Sequence, residues 1–243
     1  MEERVGTRVG VAGFLSERML RTAGFVSRGN RTADVGCDHA YTSIYLVDRG
    51  IAPQVIAMDV NAGPLARAKE NVRKFGMEEK ISLRLSDGLA KLLPGEADTV
   101  LIAGMGGPLM ERILTACPDT LATVKELVLQ PQSEIGEFRR FVQSVGFRIT
   151  EEDMLVEDGK YYTILRAERG EDVPWTEEEY LYGKRLRKKA LPVLQEFLEE
   201  ERRKAKEVLD GLSAAGTEKA ARRREEILLR LKRNEAMTKK LAK

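Results

Sequence analysis

Short apolar runs alternate with longer amphipathic stretches between residues 31 and about 168. Each run is rich in Val, Ile and Leu, and this alternation is typical of βαβ units that build a parallel sheet. The sequence therefore predicts an α/β domain with a doubly wound sheet. Its parallel strands are predicted at 32–35, 55–59, 81–85, 99–103 and 127–130.

Two further apolar runs, at 147–156 and 161–167, flank the sequence Glu-Asp-Gly-Lys at 157–160. An Asp-Gly pair between two such runs favours a tight hairpin turn, so the runs predict an antiparallel strand pair. Five parallel strands followed by a hairpin fit the seven-stranded methyltransferase variant of the doubly wound sheet better than a plain dinucleotide-binding fold. Ahead of the sheet, Ser16 is predicted to cap a helix that runs to Ala23.

The composition changes after Trp175, where long charged helix formers follow. Apolar residues recur there at helical spacings, which predicts one long helix and a second, from about Thr217, that returns antiparallel to it. We therefore divide the chain into an α/β domain at 1–170 and a C-terminal helical, coiled-coil-like domain at 171–243.

The helical region carries the basic charge of the chain. Residues 176–243 hold 19 Lys and Arg against 13 Asp and Glu, whereas the remainder holds 22 against 26. The basic excess lies within 218–243 and includes Arg222, Arg223 and Arg224. Such a run is equally typical of a solvated helix face and of a surface for nucleic-acid phosphate.

The turn after the first predicted strand reads Asp-Val-Gly-Cys-Asp-His over 34–39. A pyrophosphate-binding turn uses Gly-x-Gly-x-x-Gly, which offers bare amides to an anion. Here Asp38 places a carboxylate in that path, so a cationic ligand such as S-adenosylmethionine fits better. Asp34 and Asp38 can accept hydrogen bonds from its amino group, and Gly36 leaves room for its methionine part. Alternatively, the acids only cap the next helix.

Acidic residues also end the next two predicted strands. Asp59 lies 23 residues after Gly36, the separation at which an acid reaches ribose hydroxyls in nucleoside-binding sheets. Asp87 and Gly88 follow the third strand, where a carboxylate can accept from an adenine amino group. Each acid alone can be a helix cap, but three at one sheet edge favour a nucleoside site.

The fourth and fifth predicted strands end beside an open, glycine-rich segment. The fourth continues as Ala-Gly-Met-Gly-Gly-Pro over 103–108, and the fifth ends in Gln130, Pro131 and Gln132. We expect a methyl acceptor to lie in this opening, with the two amides able to pair with a heterocycle edge. Alternatively, Met105 belongs to the core and the amides only close the turn.

Other classes of protein and site are disfavoured by composition. No apolar run approaches the length of a membrane span, and no secretory signal pattern is present, so we expect a cytoplasmic protein. Only two cysteines and one histidine occur, which predicts no disulfide framework and no metal site. The single histidine, His39, is either structural or part of the predicted pocket.

These motifs, in this order and spacing, resemble the bacterial tRNA (adenine-22-N1)-methyltransferase family. The resemblance is carried by Asp-Val-Gly-Cys-Asp-His-Ala-Tyr at 34–41, Ile-Ala-Gly-Met-Gly-Gly at 102–107 and Leu-Gln-Pro-Gln at 129–132. It extends to Leu-Ser-Glu-Arg at 15–18, to 157–162 and to the helical tail. Gln132 departs from it, because the family pattern has asparagine there.

The resemblance implies a class I methyltransferase domain joined to a helical domain, with tRNA as substrate and S-adenosylmethionine as methyl donor. It assigns the donor to Asp34, Gly36, Cys37, Asp38, His39, Asp59, Val60, Asp87, Gly88, Ala103, Gly104 and Met105. The residues expected to position the adenine are Asp38, His39, Gln130 and Gln132. Substrate contacts are expected from Tyr41, Tyr162, Arg222, Arg223 and Arg224.

Two alternative functions remain open at this point. One is a small-molecule methyltransferase on the same fold, whose helical tail serves dimerisation. The other is an RNA-binding module whose donor site has decayed. For the tRNA enzyme we favour a monomer.

Overall fold

The computed structural model describes residues 10–186, 188–212 and 218–242. Seven strands form one sheet: β1 (Thr32–Val35), β2 (Val55–Asp59), β3 (Ile81–Leu85), β4 (Thr99–Met105), β5 (Glu126–Pro131), β6 (Phe147–Glu157) and β7 (Lys160–Arg169). Their order across the sheet is β3-β2-β1-β4-β5-β7-β6. The first five strands are parallel to one another, and β7 is antiparallel to both β5 and β6. The predicted sheet and its closing hairpin are confirmed.

The α-helices of the described residues are α1 (Glu17–Ala23), α2 (Tyr41–Asp48), α3 (Ala62–Lys74), α4 (Gly107–Thr115), α5 (Pro118–Thr123), α6 (Ile135–Ser144), α7 (Glu177–Tyr182), α8 (Leu191–Leu212) and α9 (Glu218–Leu241). The Ser16 side chain accepts from Met19 N at the start of α1, as predicted. A helix N-terminus leaves amides without intrahelical partners, and this cap satisfies one of them.

Two apolar layers cover the two faces of the sheet. Val100 and Ile102 pack with residues of α4 and α6, whereas Leu101, between them, packs with residues of α2 and α3. Successive side chains of a strand point to opposite faces, so a continuous apolar run buries both. Each fully buried Val, Ile or Leu contributes about 1.5–3 kcal/mol, and these layers hold the strand ends in a fixed relation.

β4 extends two residues beyond its predicted end because it contains a bulge. Ala103 pairs with Gln130 and Met105 pairs with Pro131, so Gly104 is the extra residue. Gly104 has φ +79°, a left-handed conformation that glycine adopts without steric cost. The bulge places Gly104 as an extra residue at the end of β4, just before the glycines at 106 and 107, while pairing with β5 continues at Met105.

The tail forms an antiparallel helix pair, as predicted. Asn234 of α9 donates to the Leu198 carbonyl of α8, and Arg230 pairs with Glu201 at 2.6 Å. The predicted helix start at Thr217 lies outside the described residues, and α9 begins at Glu218. The pair buries Leu194, Leu198 and Met237 against Met154 of β6, so the tail packs on the hairpin.

A buried ion pair ties the sheet to the chain that leads into the tail. Arg139 of α6 and Glu152 of β6 approach to 2.7 Å and are 1% and 0% exposed. Arg139 also donates to the Tyr180 carbonyl, and Glu152 accepts from the amides of Lys184 and Arg185. Buried charges are tolerated when such hydrogen bonds surround them. Both charges have several partners, so this link fixes the path of the chain after α7.

Candidate active site

The predicted site residues of the α/β domain gather at the carboxyl ends of β1, β2, β3, β4 and β5. The order of the sheet reverses between β1 and β4. In open α/β sheets, ligands bind outside the carboxyl ends of the strands where the order reverses. The topology therefore brings together residues that are up to about a hundred positions apart in the chain.

The turn after β1 is held tightly against β2. The amides of Gly36 and Cys37 both donate to the Met58 carbonyl, at 2.8 and 2.9 Å. Gly36 has φ +77°, and a Cβ placed on it would lie 2.3 Å from the Cε atom of Met105. The left-handed φ favours glycine at this point, and the flexible tip of Met105 would have to move to admit a Cβ. Met105 is thereby brought against the turn that was predicted to hold the methionine part of the donor.

Asp34 lies beneath this turn and is buried. It is 3% exposed, and the Ser43 hydroxyl of α2 donates to its Oδ2 atom at 2.6 Å. Burial raises the pKa of Asp34 to about 6, opposed by the Ser43 hydrogen bond and reinforced by the charge of Asp59. Asp34 therefore presents its charge to the site from within the fold, not from the surface.

Asp59 is the acid whose geometry best fits a pair of hydroxyls. Its Oδ2 atom accepts from the Asp38 amide at 3.2 Å and its Oδ1 atom from the Asn61 amide at 2.8 Å. The residue is 8% exposed. A carboxylate has about four lone-pair sites, so two remain after these bonds. The two amides fix the carboxylate so that its free lone pairs can accept from vicinal ribose hydroxyls.

The thiol of Cys37 shares this acidic surrounding. Burial, together with the charges of Asp34 and Asp59, raises the pKa of Cys37. The thiol therefore stays protonated near neutral pH, and its surroundings disfavour a nucleophilic role.

The ends of β2 and β3 offer a surface for a flat ring. Val60, directly after β2, is 58% exposed, and Asp87, after β3, is exposed beside the buried Gly88. Gly88 has φ +55°, and a Cβ there would lie 2.9 Å from Ile113 of α4. The apolar side chain and the carboxylate have the chemistry that the face and the amino group of an adenine need.

Gln130 supports the opening from behind. It is 0% exposed, and its Oε1 atom accepts from the Gly104 amide at 3.0 Å and from Arg18 Nη1 at 2.7 Å. Its Nε2 atom donates to the Pro131 carbonyl at 3.3 Å. Both ends of the amide are therefore occupied, which fits a role in shaping the bulge more than direct contact with a base.

Gln132 lies at the mouth of the same opening. Its side chain is exposed, and its Nε2 atom lies 3.8 Å from the position of a Cβ on Gly104. The backbone amide of Gln132 donates to the Met105 carbonyl at 2.9 Å. Ser133 Oγ accepts from the Gly107 amide at 3.3 Å. Gln132 is thus placed to reach a ligand at the end of β4.

Arg18 of α1 was not predicted as a site residue. Its guanidinium bonds Gln130, pairs with Glu157 Oε2 at 3.4 Å and lies 4.9 Å above the ring of Tyr162. It lies 112 positions before Gln130, and the Leu-Ser-Glu-Arg segment gave only a weak signal for it. Tyr162, predicted to stack on a base, is therefore already covered on one face by a cation.

His39 and Tyr41 belong to an aromatic group at the entrance of the turn. Their rings stack with centroids 5.9 Å apart, and Tyr41 also stacks on Phe14 at 4.8 Å. His39 Nε2 lies 3.7 Å from Asp38 Oδ1, and the Asp38 side chain is 67% exposed. Asp38 and His39 therefore face the outside of the turn, where an incoming base can meet them.

The three consecutive arginines at 222–224 are exposed on α9. Arg222 pairs with Glu218 at 2.6 Å and Arg223 with Glu226 at 2.8 Å, all within the helix. Exposed pairs of this kind contribute about 0–1 kcal/mol, so a phosphate can replace the carboxylate at little cost. The geometry thus leaves these residues free for either predicted role.

The described residues contain neither a metal-binding cluster nor a membrane-spanning helix. No group of three His, Cys, Asp or Glu among them is arranged to hold a metal ion. Within the same ranges, no helix combines the length and the apolar character of a membrane span.

Comparison with known proteins identifies the family. A family model described as tRNA (adenine(22)-N(1))-methyltransferase matches residues 32–236. The tRNA (adenine(22)-N(1))-methyltransferase of Bacillus subtilis (strain 168) is 40% identical over 157 residues, which are 65% of this chain and 66% of that protein. This alignment thus spans just under two thirds of the relative's length.

Solved structures match over nearly their whole length. The crystal structure of the Bacillus subtilis M1A22 tRNA methyltransferase TrmK has a TM-score of 0.80 at 32% identity, covering 91% of this chain and 97% of that chain. A Streptococcus pneumoniae protein crystallised in complex with S-adenosyl-L-methionine has a TM-score of 0.79 at 34% identity, covering 91% and 98%. The predicted class I methyltransferase fold is confirmed, and the chain belongs to the tRNA (adenine(22)-N(1))-methyltransferase family.

Proposed function

We propose that this chain transfers the methyl group of S-adenosylmethionine to N1 of adenine 22 in tRNA, using the carboxyl edge of its sheet. The observation that carries the proposal is Asp59, a carboxylate that two backbone amides hold beside the Gly36 turn. The family membership of the chain favours this reaction over methylation of a small molecule and over a decayed, non-catalytic site.

The residues of the edge fit S-adenosylmethionine. The cradle at Gly36 is one that a Cβ would fill, and the surrounding acids suit a ligand with two positive groups. We assign the ribose hydroxyls to Asp59, the adenine to Val60, Asp87 and Gly88, and the methionine part to the segments 34–39 and 103–105. Asp34 contributes its charge through the turn and is not itself exposed.

When bound, S-adenosylmethionine supplies an electrophilic methyl group on sulfur. Adenine N1 already carries an in-plane lone pair, so the reaction needs alignment more than removal of a proton. Alignment alone can contribute about 7–11 kcal/mol to lowering the barrier. The chain must also receive a base that has left its stack, which costs a few kcal/mol. The work of the protein is therefore to hold the base in line and keep it there.

We assign that work to two groups of residues. Gln132 lies at the mouth of the opening, and Asp38 and His39 lie on the outside of the turn after β1. We take these three residues as the candidates for contact with the base, and Tyr41 and Tyr162 as candidates for stacking on it. Gln130 acts behind the opening, because it holds the Gly104 amide in place. A carboxylate or amide oxygen near the adenine amino group would also stabilise the positive charge of the methylated product.

The helical region supplies the contact with tRNA in this proposal. We propose that the chain consists of an α/β part at 1–170 and a helical part at 171–243, although Trp175 and Tyr180 pack into the core of the α/β part. The binding surface is accordingly placed on α8 and α9, with Arg222, Arg223 and Arg224 toward phosphate. The two tail helices pair within one chain, which is compatible with a monomer acting in the cytoplasm.

Calorimetry and a methylation assay test the proposal together. Asp59→Ala removes the acceptor for both hydroxyls and should weaken binding of S-adenosylmethionine by about 10- to 100-fold. Asp48→Ala, an exposed acid at the end of α2, is the matched control and should bind as the parent does. The parent should methylate unmodified tRNA and should fail on tRNA with guanine at position 22. Equal methylation of both tRNAs would contradict the proposal.

A further inference from the structure

A groove of about 410 Å³ opens between the β6–β7 hairpin and the tail. Tyr161 and Thr163 of β7 line it from the sheet, Ile135 of α6 and Leu181 of α7 from the side, and Phe197 of α8 from the tail. We call it the hairpin–tail groove. Its volume is within the range of small-molecule sites, about 300–1,000 Å³.

The groove is continuous with the candidate active site. Gln132 lines it and also lies 3.8 Å from the position of a Cβ on Gly104. Tyr162, predicted to contact the substrate, lines it as well. A strand of RNA whose target base enters the opening at Gly104 therefore has its next nucleotide at the mouth of this groove.

The charged side chains that line the groove are basic within the described residues. Arg139 and Lys160 are the charged side chains among its described lining residues. Glu152 neutralises Arg139, whereas Lys160 is exposed at the hairpin turn and has no ion pair within the described part of the chain. Within the part of the chain that the structure describes, the groove therefore offers one free cation to an anionic ligand.

Its aromatic walls are held rigidly. The Tyr161 hydroxyl donates to Glu196 and lies 3.0 Å from Glu200, and its ring packs edge-on against Phe197 with centroids 5.1 Å apart. Rings fixed in advance lose little freedom when a ligand binds. Aromatic side chains beside a cation are the pattern by which proteins hold single-stranded nucleic acid.

We propose that the hairpin–tail groove binds the nucleotide adjoining the target adenine, with its phosphate at Lys160 and its base against Tyr161 and Phe197. This inference rests on the proposed tRNA reaction and adds a second nucleotide subsite to it. It commits to RNA as the ligand, because the free cation, the aromatic walls and the continuity with the opening occur together.

The first experiment tests the phosphate contact. Binding of unmodified tRNA to the parent, Lys160→Ala and Lys80→Ala is measured in the presence of S-adenosylhomocysteine at several salt concentrations. Lys80 is the matched control, because it is exposed next to β3, at the opposite edge of the sheet. Lys160→Ala should reduce the slope of log K against log salt by about 0.7–0.9, and Lys80→Ala should not. Identical slopes for all three proteins would overturn the inference.

The second experiment tests the base contact. Phe197→Leu keeps an apolar side chain of similar size in the tail core but removes the aromatic face. Two tRNAs are compared, one abasic at the nucleotide 5′ of the target adenine and one abasic at the nucleotide 3′ of it. One of them should bind the parent roughly 5- to 100-fold more weakly than intact tRNA. The loss should be much smaller for Phe197→Leu, and equal losses would overturn the base contact.

The methylation assay separates this inference from the proposed function. A parent that methylates adenine 22 while Lys160→Ala keeps the parental salt slope would contradict the groove alone. A parent that binds S-adenosylmethionine but never methylates tRNA would contradict the proposed function and the groove with it.

Discussion

Arg18 and Gln130 should act as one unit in catalysis, and a double-mutant cycle can show this. The two side chains meet at 2.7 Å in a hydrogen bond between a charged donor and a buried amide oxygen. The same oxygen accepts from the Gly104 amide at the bulge. Replacing either side chain by methionine keeps its approximate length and removes the bond. Arg18→Met leaves the amide without its orienting partner, and Gln130→Met leaves the Gly104 amide without an acceptor.

The expected size of the effect follows from the bond. Hydrogen bonds to charged groups contribute about 1.5–3 kcal/mol, which corresponds to roughly 12- to 160-fold in kcat/KM. We expect each single variant to lose activity on tRNA within this range. The double variant should lose little more than the worse single variant, because the first substitution already removes the interaction. Affinity for S-adenosylmethionine should also fall in Gln130→Met, because the Gly104 amide that Gln130 holds belongs to the segment 103–105 that we assign to the methionine part of the donor.

Steady-state methylation kinetics with all four proteins measure the coupling, and urea unfolding shows how much of it is stability. Arg84→Met is the matched control, because it breaks another arginine pair, with Glu96 at 2.6 Å, away from the opening. The control should alter stability without lowering kcat. Losses that add to within about 0.5 kcal/mol would refute the reasoning, because independent sites behave in that way.

Three further variants probe other parts of the structure. Burial raises the pKa of Asp34 to about 6 from an ordinary value near 4, so the stability of the fold falls as the pH rises through this window. In urea unfolding, Asp34→Asn should therefore be more stable than the parent by about 3 kcal/mol at pH 7.5 and by little at pH 4. A difference that does not depend on pH would contradict this. Gly36→Ala should weaken binding of S-adenosylmethionine in calorimetry, and adding Met105→Ala should not restore it, because the left-handed backbone at position 36 remains strained. Full recovery in the double variant would show that only the contact with the Met105 side chain mattered. Arg139→Met should lower the free energy of unfolding by about 3–5 kcal/mol and expose the chain before the tail to limited proteolysis. The double variant with Glu152→Leu should be less destabilised, and equal losses of stability in the two variants would argue against a buried charge as the cause.

The sheet could be predicted from the sequence because its signals are local. A run such as Val100 to Ile102 is apolar at every position, and two-sided burial needs that pattern. The Asp-Gly pair at the hairpin is likewise a local preference of the backbone. The bulge at Gly104 was missed as such, since a glycine in a strand is compatible with several backbone paths.

The network around Gln130 could not be predicted, because its partners are distant in the chain. Gln130 and Arg18 are 112 positions apart, and the residue types alone give no sign of their contact. A glutamine at the end of a strand predicts an available side-chain amide, but Gln130 is buried and its oxygen accepts from two donors, so it supports the bulge instead. The acid of the first strand shows the same limit: Asp34 has the predicted residue type and location, yet its exposure depends on how α2 covers it.

The support of the opening and the hairpin–tail groove meet at the β6–β7 hairpin. Glu157, the last residue of β6, holds both the amide and the guanidinium of Arg18, and Arg18 in turn holds Gln130. Lys160, three residues later, is the unpaired cation among the described lining residues of the groove. A reaction that needs alignment more than proton transfer gains from such an arrangement, because binding energy at a neighbouring nucleotide can be used to position the base. The turn at 157–160 is therefore the element through which contact with RNA can reach Gly104.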